Sequence, residues 1–189
     1  MKVATDAEIR EYLLQFPELR CERKVVGFDH PEAKGITIDL RLPEPHQLVF
    51  LARLAASLIF EEHDFQGACL WVTQWGVWNP YVESVGFNTL ERYRLGFGEN
   101  RPLTTAPGHF FREDELLNSV SCLLQPMLVG WDAYYFPQFA GHRPEFFLVV
   151  SHDSFLDIQT RTEDAHKKAI KVLTKLNWIR LSLGRVSHP

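Results

Sequence analysis

The stretch Trp131-Asp132-Ala133-Tyr134-Tyr135-Phe136 decides the fold of this chain. Successive side chains of a strand point to opposite faces, so Trp131, Ala133 and Tyr135 share one face and Asp132, Tyr134 and Phe136 the other. Rings on both faces predict a strand covered on both sides. Ala68 to Trp75, with Leu70, Trp71 and Val72 in an uninterrupted apolar run, makes the same prediction for a second strand.

Working outward, Glu145 to Val150 and Phe155 to Ile158 read as two further strands joined by Ser151-His152-Asp153-Ser154. Upstream, Ile36, Ile38, Leu40 and Leu42 alternate with Thr37, Asp39 and Arg41, the period of a half-buried strand. With Lys24 to Phe28 and the turn chemistry of Asp29-His30-Pro31 and Gly35 between them, a hairpin is expected.

Helical signals lie between these strands. Thr5 and Glu8 form a capping-box pattern ahead of Ile9, Leu13 and Phe16. Gln47 to Phe60 is apolar around most of a helical circumference, which predicts a buried core helix. Asn79 as N-cap with Pro80 at the first helical position starts another helix, ending near Gly96 or Gly98. Glu99 to Gly108 reads as the longest loop. Glu113, Asp114 and Glu115 favour a helix N-terminus leading into Leu116 and Val120, with Pro126 expected to kink or end that helix. Thr162 caps a last helix that buries Ala165, Ala169, Val172, Leu173 and Leu176. The expected fold is therefore α+β: a mostly antiparallel sheet of about six strands with a buried helix and flanking helices. One globular domain over residues 1–189 is expected, with a mobile tail from residue 182.

Composition narrows the function classes. The 189 residues are 46% hydrophobic and 13% aromatic, enough to fill one bulky core, and carry a formal charge of −4. From Thr160 onward there are 7 Lys/Arg and 2 Asp/Glu, and Lys167, Lys168, Lys171 and Lys175 fall on the last helix. No aromatic-interleaved basic stripe or reading motif accompanies them, so no nucleic acid is expected as a partner. Cys21, Cys69 and Cys122 are widely spaced and form neither a disulfide framework nor a zinc knuckle. The opening Met1-Lys2-Val3-Ala4-Thr5-Asp6 lacks the apolar run of a signal peptide, and Leu48 to Phe60 is too short to span a bilayer, which predicts a cytoplasmic protein with no membrane partner.

Four segments are more specific than the rest: Trp75-Gly76-Val77-Trp78, Pro107-Gly108-His109-Phe110-Phe111, Trp131-Asp132-Ala133-Tyr134-Tyr135 and Ser151-His152-Asp153. In this order, over the region from Leu70 to Ile158, they resemble a family of uncharacterised bacterial proteins. The resemblance implies one domain of bacterial type and assigns no catalytic residue.

Ser151, His152 and Asp153 are consecutive, and a nucleophile-base-acid triad needs residues that converge from distant positions. As a turn, they would cap their own backbone. His109 is expected in a loop ahead of a helix N-terminus. If that loop met the one at His152, then His109, His152, Asp132 and Asp153 would offer a mixed nitrogen and oxygen site for zinc, manganese or iron, with His109, His152 and Asp153 as catalytic candidates. No local motif implies a cofactor. Trp78, Trp131, Asp132 and Tyr134 are candidates for a ligand pocket or interface. Two functions follow as expectations: a non-enzymatic protein-binding domain of accessory or immunity type, taking a protein partner or forming a homo-oligomer, and a metal-assisted hydrolase using His109, His152 and Asp153.

Overall fold

The computed structural model describes residues 1–39, 65–74, 80–140, 143–153 and 155–175. Among these residues the main sheet has seven strands in the order β1-β6-β5-β7-β8-β9-β4, every neighbouring pair antiparallel. These are β1 (Lys2–Ala4), β4 (Lys34–Asp39), β5 (Phe65–Gln74), β6 (Gly108–Arg112), β7 (Asp132–Phe139), β8 (Phe146–Ser151) and β9 (Phe155–Thr160). A separate ribbon pairs β2 (Leu19–Glu22) with β3 (Val25–Phe28). The described helices are α1 (Asp6–Leu13), α2 (Pro80–Gly96), α3 (Leu116–Val129) and α4 (Glu163–Lys175), with a 3-10 turn at Glu113–Glu115.

The aromatic strands sit at the centre, as their two-sided apolar pattern predicts. Register places Leu70 opposite Tyr135, Tyr135 opposite Leu148 and Leu148 opposite Ile158, all on one face. That face joins Leu90, Val120, Leu123, Ala169, Val172 and Leu173 of α2, α3 and α4 in one core. The opposite face carries Cys69, Trp71, Tyr134, Phe136 and Phe147 and packs under Ile9, Leu13 and Val26. The sheet thus lies between a helical layer and a layer made of α1 and the β2–β3 ribbon.

Local signals explain several boundaries. Thr5 Oγ1 accepts the Glu8 N–H at 3.2 Å and Glu8 accepts the Thr5 N–H at 2.7 Å, the reciprocal capping box that starts α1. Thr162 Oγ1 accepts the Ala165 N–H at 3.2 Å ahead of α4. Gly108 lets α1 approach the sheet: a Cβ there would lie 2.7 Å from Ile9 Cγ1.

Several sequence expectations are corrected. Val25–Phe28 pairs with Leu19–Glu22, not with Lys34–Asp39, which instead borders β9. Gly108–Arg112, read as loop and helix entry, is a strand between β1 and β5. Pro126, expected to kink or end the helix, does not end α3, which runs to Val129 before Gly130 closes it in the left-handed conformation. The core helix expected at 47–60, the Trp75 to Trp78 segment, Leu176 and the tail from 182 lie outside the described residues. Among the described residues no helix is long and apolar enough to cross a membrane.

Candidate functional site

Asp132, His152 and Asp153 meet at one end of the sheet. Asp132 opens β7, and His152 follows β8, whose antiparallel course returns the chain to the start of β7. Asp132 Oδ1 accepts two hydrogen bonds, from the His152 backbone N–H at 2.7 Å and from the ring Nδ1 at 2.8 Å. The other ring nitrogen, Nε2, lies 3.6 Å from Asp153 Oδ1. The Asp132 hydrogen bond holds the His152 pKa above its ordinary value, aided by the charges of both carboxylates. Ser151 Oγ accepts the Asp153 N–H at 3.2 Å, so its hydroxyl caps the turn.

Chemically, this is an imidazole oriented by a carboxylate, with its ring 24% exposed. Such a pair can carry a proton, and it can equally fasten the β8–β9 turn to β7. A groove of about 340 Å³ lies at the opposite end of the sheet, lined by Phe16, Gln66, Pro137, Phe139, Arg143 and Pro144. The pair therefore does not open onto that groove.

His109 is not part of this cluster. Its register partners are Val3 and Leu70, which puts its side chain on the helix-covered face, whereas Asp132 alternates with Tyr134 and Phe136 on the other. The His109 ring is fully buried and neither ring nitrogen has a hydrogen-bond partner among the described residues. Burial, reinforced by the positive charge of Arg94, pushes its pKa down to about 3, so the ring is neutral in ordinary buffers. Among the described residues no group of three His, Cys, Asp or Glu side chains is placed to hold a metal ion.

Two of the aromatic candidates, Trp131 and Tyr134, are core residues. Trp131 is buried in the helical-side core, and Tyr134 is buried on the ribbon side, where its hydroxyl accepts the Val26 N–H at 3.3 Å. Trp71, its neighbour across the strands, donates Nε1–H to Asp6 at 2.7 Å. Trp78 lies outside the described residues.

Sequence reasoning missed Arg94. It sits in the last turn of α2, only 1% exposed, with Nε, Nη1 and Nη2 all buried and without a hydrogen-bond partner among the described residues. The available signal was periodicity: Arg94 stands four residues after the buried Leu90, on the inward stripe of the helix. A basic residue at a helix C-terminus reads instead as a dipole partner on the surface. No protein-family model, curated protein or solved structure matches this chain.

Proposed function

We propose that this chain is a cytoplasmic, non-enzymatic protein-binding domain of accessory type, and that the outer surface of α3 is its contact face. The observation that carries this is the composition of that helix. Its fourteen residues include no charge, although 23% of the chain is charged. Val120, Cys122, Leu123 and Pro126 face inward, while Leu117 is 74% exposed and Leu128 47% exposed. Leu117, Ser121 and Leu128 follow helical spacing along the outward side, while Leu124 is half-buried against the core. A helix apolar on both sides gains stability from cover on both sides, and desolvated apolar side chains are what interfaces use as anchors.

A photoreactive phenylalanine analogue at position 117, compared with one at exposed Glu11 on α1, tests this together with sedimentation of the purified protein. The expected result is a discrete protein adduct, or a self-associated species, that depends on position 117 and is lost on Leu128→Glu. Equal labelling at both positions with a monomer throughout would overturn it.

The metal-assisted hydrolase reading draws support from the Asp132–His152 pair, whose Nδ1 contact of 2.8 Å matches a carboxylate-oriented base. In that reading His152 and Asp153 act without His109. Metal-dependent ester hydrolysis abolished by His152→Gln would favour it; metal-independent background rates in both proteins would remove it.

A further inference from the structure

We infer that Arg94 and His109 form an enclosed binding site for a small monoanionic carboxylate, between α2, β6 and α3. The two side chains lie in the same layer. Arg94 projects inward from the end of α2, and His109 faces that layer from β6, where its ring stacks on Phe111 with centroids 6.3 Å apart. Each is essentially inaccessible, at 1% and 0% exposure. The Tyr93 hydroxyl, beside Arg94 in sequence, is a third buried group without a hydrogen-bond partner among the described residues.

Glu99 and Glu91 act on Arg94 through their charge but accept none of its hydrogen bonds. Glu99, whose charge acts on both Arg94 and His109, binds Arg101 through Nε at 3.1 Å and Nη2 at 2.9 Å. Arg101 also reaches the Val3 carbonyl at 2.8 Å, which fixes it over the sheet edge. Glu91 accepts the Leu103 N–H at 3.4 Å. The Arg94 fork is thus left with no acceptor among the described residues. A guanidinium cannot relieve its burial by losing a proton, so a buried and unpaired one is strongly unfavourable.

A carboxylate supplies what these groups lack. Its two coplanar oxygens match the guanidinium fork, and a neutral imidazole contributes one N–H donor at the same place. One negative charge also suits the surroundings better than two. Leu90, Leu103 and Phe111 belong to the same buried apolar core, and a phosphate dianion would need more donors than one fork and one imidazole provide.

The test uses the whole chain, purified in chloride with amine buffers, and follows thermal unfolding against acetate, inorganic phosphate and chloride at matched ionic strength. Acetate is expected to raise Tm saturably, by about 5–10 °C at a hundredfold excess over its dissociation constant, with phosphate no better than chloride. Arg94→Met is expected to begin at a higher Tm in acetate-free buffer, because a buried unpaired cation has been removed, and to lose the acetate response. Should that variant not fold, Arg94→Lys keeps the charge without the fork, and its half-saturation is expected to rise at least tenfold. A parent Tm indifferent to acetate, or an equal response in parent and variant, overturns the site. Saturable stabilisation by phosphate above that by acetate overturns the carboxylate assignment.

Discussion

Lowering the pH from 7 to 5 is expected to destabilise this protein through His109, and the size of the effect follows from its burial. In the folded chain the ring is enclosed and its pKa lies at about 3; once unfolded it returns to the ordinary value of 6.5. The unfolded state therefore binds a proton that the folded state refuses. The stability involved is complete above pH 6.5 and falls as pH drops from there toward 3. Between pH 7 and pH 5 the linkage amounts to ~2 kcal/mol. Urea unfolding followed by tryptophan fluorescence, in amine buffers free of carboxylate and phosphate, measures it for the parent and for His109→Leu. Leucine is an apolar filler that cannot titrate, and it leaves no buried ring nitrogen unpaired. All other titrating groups cancel in the comparison. The drop in stability from pH 7 to pH 5 is expected to be smaller in the variant by ~2 kcal/mol. Equal drops in the two proteins would refute the placement of a neutral, sealed imidazole at this position.

His152 acts in the opposite sense. Its pKa is raised by the Asp132 hydrogen bond, so the stability of the pair is complete below the unfolded histidine value and fades as pH rises through the folded one. Asp132→Asn keeps the shape and removes the charge. At pH 6 it is expected to cost about 1 kcal/mol, allowing for partial solvent screening, and the penalty shrinks by pH 8; a cost independent of pH would count against the ion pair. Gly108→Ala places a methyl group against the fully buried Ile9, whose Cγ1 would be 2.7 Å away. A loss of ~1–3 kcal/mol is expected from such overpacking, with partial rescue by Ile9→Val; an unchanged melting curve for Gly108→Ala would show that α1 does not seat there.

The fold was legible where one local rule and the tertiary environment agree. Trp131 to Phe136 carries rings on both faces, and both faces are covered. Thr5 and Glu8 spell a capping box, and the box forms. It was illegible where the decisive partner lies far away in sequence. Arg23 and Lys24 make the β2–β3 turn with φ of 49° and 72°, a conformation usually signalled by Asn and Gly, so nothing local marked that ribbon. The brevity of β1 hid it as well. Gly108 to Arg112 was masked by the acids that follow it, which announce a helix so strongly that the five residues before them read as its approach.

The candidate site divided along the same line. Asp132, His152 and Asp153 could be grouped from sequence because a strand start and a hairpin turn fall at one sheet end whenever the strands run antiparallel. What sequence could not supply was the face on which each ring lies. His109 starts near that same end of the sheet but points into the helical layer, and this single difference inverts its chemistry. Beside two carboxylates and partly in water, His152 favours its proton. Sealed in an apolar layer near a fixed cation, His109 gives its proton up. That neutrality is what makes its position near Arg94 tolerable, because a protonated ring there would place a second buried cation in the same layer. The same neutrality leaves His109 an N–H donor and a ring acceptor over the whole pH range above about 3. Arg94 and His109 are therefore complementary rather than competing groups, one supplying charge and the other an uncharged donor, and each lacks, among the described residues, the acceptor that would satisfy it.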